Sequence, residues 1–199
     1  MEICDTIKYM SQFEDYVFEK FKNCILSWDK SLVDDIYCLE IFKGDHAYCQ
    51  SGFALTYNTE SHLSERMKAV GEDAKWDFAE WTCAYPTGAP EDAEEVALWE
   101  KWCKENAIPT NEKETEYCGE HIYEAAPLYT TCRILAENLA QRLHKEGVIL
   151  KVFGVHLPVY ITDNDGFFDR PSILSANPPE AVKEFEQVSR DWKMPEWAK

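Results

Sequence analysis

Apolar residues near the start of the chain recur every three or four positions, which is the spacing of one helix face. Ser11 and Glu14 have the spacing of a capping box, so the pattern predicts a helix that begins at Ser11. Because Ile7 and Met10 extend the apolar stripe backwards, a start near Asp5 remains open. The stripe consists of Phe13, Val17, Phe21, Cys24 and Ile25.

The same spacing predicts four further helices. Asn58 and Thr59 are residue types that favour the N-cap position, and they precede a short helix that ends at Gly71. Pro90 suits the first turn of another helix. A long helix follows Pro127 and ends at Gly147, and the last helix begins around 177–179. The residues expected to face inwards are Leu63, Met67 and Val70, then Val96, Trp99 and Cys103, then Leu128, Cys132, Leu135, Leu139 and Leu143, and finally Val182 and Phe185.

Segments rich in β-branched and aromatic residues predict two strand pairs. Residues 36–42 and 47–57 flank a turn signal and predict an antiparallel hairpin, with Gly52 as a bulge. Residues 148–155 and 159–162 predict a second pair around Pro158. Since the strands cluster as hairpins, we expect an α+β fold with a mainly antiparallel sheet of about four strands and helices packed on one face. We expect residues 1–199 to form a single domain.

The net negative charge of the chain disfavours some classes of binding partner. The chain has 199 residues and a formal net charge of −17, and no basic patch is visible in it. Nucleic acids and anionic membrane surfaces attract basic proteins, so we expect neither as a partner. The first residues have neither a basic start nor a long apolar run, so we expect no secretory signal and a cytoplasmic location.

The acidity is concentrated in one segment. Between Glu91 and Glu124 there are eleven acidic residues and three lysines, which gives this segment eight of the seventeen net negative charges. Such a segment is either a solvated helix face or a surface that attracts a basic protein. As the candidate partner-binding residues we name Glu91, Asp92, Glu94, Glu95, Glu112, Glu114, Glu116 and Glu120.

Motifs for catalysis and for metal or cofactor binding are weak. The eight cysteines form no C-x-x-C pair, and we expect them to be reduced and mostly buried. The run 163–166 resembles the start of a calcium loop, but position 12 of that loop is Leu174 instead of a glutamate, so we expect a turn. Cys118 and His121 have the spacing of a helix-face pair without a third catalytic group. We therefore expect no catalytic residue, no metal and no cofactor.

Four of the seven tryptophans lie within a short stretch. Trp76, Trp81, Trp99 and Trp102 are either core residues or an aromatic platform for a carbohydrate or a peptide. A small-molecule site or enzyme active site would therefore lie in a cleft near residues 76–102 and the helix that carries Cys118.

Four segments of the sequence, taken in chain order, resemble a known group of proteins. They are residues 54–60, residues 75–81, the leucine-rich helix that ends at Gly147, and residues 158–165. Their order is similar to a bacterial family of cytosolic proteins of unknown function, and to small acidic α+β immunity proteins encoded beside polymorphic toxins. The resemblance covers roughly residues 11–191. It implies a binding role, such as neutralising a toxin domain, and supplies no catalytic residues.

The leading hypothesis is therefore a non-enzymatic module that binds a basic protein through an acidic surface. Electrostatic attraction would speed the encounter, and buried anchors at the centre would hold the complex. Two alternatives stay open: the small-molecule protein or enzyme described above, and a structural subunit that associates with itself.

Overall fold

The structure is a computed structural model, and it describes residues 11–43, 53–76, 81, 93–106, 127–163 and 170–190. Within these ranges it contains eight α-helices and a three-stranded sheet, which confirms the mixed α+β class. The helices and strands, in chain order, are α1 Ser11–Ser27, α2 Lys30–Val33, β1 Ile36–Lys43, β2 Phe53–Thr59, α3 Glu60–Val70, a 3₁₀ helix Glu72–Lys75, α4 Ala93–Glu105, α5 Pro127–Lys145, α6 Val148–Phe153, β3 Val159–Asp163, α7 Arg170–Ala176 and α8 Lys183–Ser189.

The sheet differs from the predicted one in strand number and direction. Its order is β2-β1-β3, with β1 antiparallel to β2 and parallel to β3. The antiparallel pairing of β1 with β2 confirms the first predicted strand pair, whereas the turn and Gly52 lie outside the described residues. The expectation of about four mainly antiparallel strands is wrong, because residues 148–153 form α6 and leave β3 to pair with β1.

The two glycines that flank α6 explain why this apolar segment is a helix. Gly147 and Gly154 have φ values of 73°, in the left-handed region that favours glycine, and each reverses the chain at one end of α6. Between them Val148 and Ile149 are buried while Leu150 is half exposed, which is a helical pattern and not the alternation of a strand.

One face of the sheet is apolar and packs against helices. Leu39 and Ile41 of β1 share this face with Leu55, Val159 and Ile161, and all are fully buried. α1 supplies much of the cover: Phe13, Val17, Phe21 and Ile25 of its predicted stripe are buried, whereas Cys24, the fifth member, is partly buried. α5 supplies Leu135, Leu139 and Leu143, also as predicted.

The opposite face of the sheet is polar and is also covered. Tyr160 alternates with Val159 and Ile161, and its ring packs against Trp76, Trp81 and Phe185 of α8 at centroid distances of 5.3 to 6.2 Å. Aromatic residues therefore cover this second face. Because Phe185 belongs to α8, one helix also packs on this face, whereas we expected helices on one face only.

The predictions for α3 and for the last helix have mixed outcomes. The hydroxyl of Thr59 accepts a hydrogen bond from the His62 amide at 3.3 Å, so Thr59 caps α3 as expected. Only Leu63 of the expected inward residues on α3 is buried, whereas Met67 and Val70 are exposed. The last helix begins at Lys183 and not around 177–179, because residues 178–182 form a turn. Val182 and Phe185 are buried, as predicted.

Candidate functional site

α1 and α4 lie side by side because aromatic residues from both fill the space between them and the sheet. The Phe13 ring lies 5.2 Å from the Trp99 ring and 5.7 Å from the Trp102 ring. The two indoles stack on each other at 5.0 Å, and Phe53 of β2 contacts Phe13 and Trp99. The packing of this cluster determines which faces of α1 and α4 are buried and which are exposed to solvent.

An ion pair joins the two helices beside the aromatic cluster. The Lys20 ammonium group donates to a carboxylate oxygen of Glu95 at 2.6 Å. The Glu95 side chain is only 8% exposed, so its charge is balanced inside the protein. Removing one partner from such a pair leaves an uncompensated charge in a poorly solvated place.

Outside this ion pair α1 and α4 form an open groove of about 740 Å³. Tyr16 and Leu98 give the groove its apolar part. The lining also includes the carboxylates of Asp15, Glu19 and Glu94, and it is completed by Gln12, Lys20 and Asn23. The groove thus combines a small apolar surface with three acidic side chains.

Neighbouring cations partly balance the groove carboxylates. Arg142 of α5 donates to Asp15 at 2.7 Å, and Lys22 donates to Glu19 at 2.8 Å. Both carboxylates are more than half exposed, which places these pairs in water, where an ion pair contributes little to stability. A partner's cation can therefore compete with Arg142 and Lys22 at small energetic cost.

The structure separates the predicted acidic residues. Glu94 is exposed and lines the groove, whereas Glu95 faces inwards to Lys20. The other six predicted residues lie outside the described part of the chain: Glu91, Asp92, Glu112, Glu114, Glu116 and Glu120. Sequence reasoning missed Asp15 and Glu19, whose signal was the polar face opposite the apolar stripe of α1.

Three of the four tryptophans in the predicted stretch belong to the core, and the fourth, Trp76, is partly buried and packs against it. Trp81, Trp99 and Trp102 are at most 4% exposed, so the prediction of core residues is confirmed for these three, and that of an exposed platform is wrong for them. The indole nitrogens of Trp99 and Trp102 have no acceptor within the described part of the chain, whereas that of Trp81 donates to the Lys75 carbonyl oxygen at 3.2 Å. Cys118 and His121 lie outside the described residues.

Glu40 is a second chemically unusual position. It lies in the central strand on the polar face of the sheet, is fully buried, and accepts a hydrogen bond from the Thr162 hydroxyl. Burial raises the pKa of Glu40 to about 8, against the smaller opposing effect of the Thr162 hydrogen bond. Among the described residues, its other oxygen has no hydrogen-bond partner. A pKa of about 8 favours the neutral carboxylic acid at neutral pH.

Comparisons with protein-family models, with curated proteins and with solved structures find no match. Among the residues that the structure describes, no cluster of three or more His, Cys, Asp or Glu side chains is placed to hold a metal ion. The described helices include none that is long and apolar enough to cross a membrane.

Proposed function

We propose that this protein is a non-enzymatic protein-binding module that holds a basic segment of its partner in the α1–α4 groove. The observation that carries the proposal is the composition of the groove, whose lining combines Asp15, Glu19 and Glu94 with the apolar side chains of Tyr16 and Leu98. A basic residue of the partner pairs with the carboxylates, and an apolar neighbour packs on Tyr16 and Leu98.

The charge of the whole chain supports a basic partner over an acidic one. A net charge of −17 attracts a cation over distances near the Debye length, and the groove carboxylates then orient it. The immunity-protein resemblance makes a basic toxin domain the narrower form of this proposal. In that form the module neutralises the toxin by occupying its basic surface.

The α1–α4 groove is held in shape by contacts that leave its carboxylates outside. The Glu95–Lys20 ion pair joins the two helices, and the Phe13–Trp99–Trp102 cluster packs between them. A preformed groove lowers the entropy cost of binding, because fewer side chains must be ordered when the partner arrives.

Site-specific cross-linking tests the location of the contact and the chemistry of the partner. A photoreactive residue is introduced as Asn23→p-benzoylphenylalanine in the groove, and as Ser64→p-benzoylphenylalanine on α3 as the control. The proteins are irradiated in the cell that makes them, and the adducts are mapped by mass spectrometry. We expect an adduct from position 23 alone, to a protein segment with a net positive charge.

Three results would contradict the proposal: no adduct at position 23, equal adducts from both positions, or an adduct to a neutral or acidic segment. The first two would remove the groove as the binding site. The third would retain a binding surface there but refute its preference for a basic partner.

A further inference from the structure

A pair of histidines joins three parts of the fold away from the groove. The Nδ1 atoms of His144, on the last turn of α5, and His156, in the linker between α6 and β3, lie 3.0 Å apart. The Nε2 atom of His144 lies 2.9 Å from the side-chain oxygen of Asn177, which follows α7. His144 is only 7% exposed, so water does not replace these bonds easily.

The orientation of Asn177 fixes the tautomer of His144. The Asn177 side-chain nitrogen donates to the carbonyl oxygens of Val159 and Ile173, each at 2.8 Å, and the Asn177 side-chain oxygen accepts from the Val159 amide at 2.8 Å. Because this oxygen is an acceptor, the Nε2 atom of His144 must carry the proton that it donates to Asn177.

The proton count of the pair then decides whether the Nδ1–Nδ1 bond exists. When both rings are neutral, the Nδ1 atom of His144 is an acceptor and that of His156 is the donor. The outer Nε2 atom of His156 is not part of this bond, so one added proton there leaves the bond intact. A second proton must go to the Nδ1 atom of His144, so two N–H groups on two cations would face each other.

We infer that the His144–His156 pair is a proton-operated latch, which holds the linker 154–158 against the end of α5 and releases it when the second proton binds. Gly154, at the start of this linker, has a left-handed φ of 73° and marks the point where the chain turns away from α6. Asn177 binds the first residue of β3, so the latch lies next to the entry of the edge strand of the sheet.

Burial and the charged groups around His144 together lower its pKa, so the second proton binds only in acid. Burial is the largest effect and lowers the pKa of His144, and the nearby His156 also lowers it. The Asn177 hydrogen bond and the Glu180 carboxylate act in the opposite direction and are smaller than burial. On α5 itself, Arg142 pairs with Glu146 and with Asp15 of α1, and Lys145 donates to Gln141.

Two NMR measurements on the whole protein in a chelating buffer test the latch. Ring ¹⁵N shifts give the protonation of each imidazole nitrogen, and amide exchange gives the protection factor of Val159. We expect a protonated Nε2 and a bare Nδ1 on His144 at about pH 7.5. The Val159 protection factor should fall about tenfold or more by about pH 5.

The variant His156→Gln separates a latch from a merely structural contact. A glutamine amide can donate to the neutral His144 ring or accept from the charged one, and it carries no charge itself. The pKa of His144 should therefore rise in this variant, and the protection of Val159 should become independent of pH over the same range. His62→Gln on α3 is the control and should leave both readouts as in the wild type.

Several results would overturn the latch. One is a His144 ring with a protonated Nδ1 at neutral pH, and another is Val159 protection that does not change between the two pH values. A third is a His156→Gln variant that loses protection equally at both pH values, since this would show that His156 only fills space.

Discussion

At the scale of single residues, Glu40 shows how a buried ionisable group changes the pH dependence of folding. In the unfolded chain its pKa is near 4.5, whereas burial raises the pKa to about 8 in the folded protein. Above pH 4.5 the unfolded state releases a proton that the folded state keeps. The free energy of unfolding therefore falls, because of this one group, as the pH rises from about 4.5 to 8.

The variant Glu40→Gln removes this cost, since an amide is neutral at every pH and can keep the hydrogen bond from Thr162. We compare the free energy of unfolding of the variant with that of the wild type at each pH. The difference, variant minus wild type, should be larger at pH 7 than at about pH 4.5 by on the order of 3 kcal/mol. Urea unfolding at the two pH values measures the difference. The exposed Glu65→Gln on α3 serves as the control, and an equal response of both variants would refute the raised pKa of Glu40.

At the scale of secondary-structure elements, neighbouring carboxylates on α4 have opposite roles. Glu95 pairs with Lys20 of α1 in a nearly dry place, whereas Glu94 lies on the exposed side of the groove. We expect Glu95→Ala to lower the free energy of unfolding by about 1–2 kcal/mol and Glu94→Ala to lower it by less than about 0.5 kcal/mol.

Urea unfolding of the two α4 variants at neutral pH measures this difference. Lys20→Ala and the double variant with Glu95→Ala complete a cycle that isolates the pair itself. If Glu95→Ala and Glu94→Ala were equally stable, Glu95 would not hold α1 and α4 together.

Elements whose apolar residues keep a clear period are the ones that the sequence predicts well. The long helix that ends before Gly147 and the buried stripe of α1 are examples. The segment Val148–Phe153 is apolar at five of its six positions, so the local pattern does not distinguish a strand from a buried helix. Packing against α1 and α5, together with the flanking glycines, makes it a helix.

The candidate site was less predictable than the fold, because it is formed by two helices that are far apart in the chain. The excess of acidic residues in 91–124 pointed to α4 and to Glu94. Nothing local in the sequence shows that Asp15 and Glu19 lie across the groove from Glu94, nor that Glu95 turns towards Lys20. These are tertiary contacts, and they depend on how Phe13 packs against Trp99.

At the scale of the whole molecule, Asn177 joins α7, the edge strand and the end of α5. Its side chain bonds both backbone groups of Val159, the Ile173 carbonyl oxygen and the His144 ring. We expect Asn177→Ala to lower the free energy of unfolding by at least about 3 kcal/mol, because several buried polar groups lose their partners.

Asn177→Asp should be nearly as destabilising, since a carboxylate would face the carbonyl oxygens of Val159 and Ile173 where the amide now donates. Urea unfolding compares both variants with Asn138→Ala, whose side chain makes one long hydrogen bond of 3.4 Å to Glu14. A cost for the Asn177 variants no greater than that for Asn138→Ala would show that Asn177 is not a central junction.

The most direct test of the proposed function is the association rate with the cross-linked partner, measured by stopped flow at low and high salt. The variant Glu19→Lys/Glu94→Lys reverses two groove charges, and Glu65→Lys/Glu186→Lys makes the same change in net charge on α3 and α8. We predict that the groove variant associates about tenfold more slowly than the control variant at low salt, and that the gap closes at high salt. Equal rates for the two variants at every salt concentration would contradict a groove that steers a basic partner.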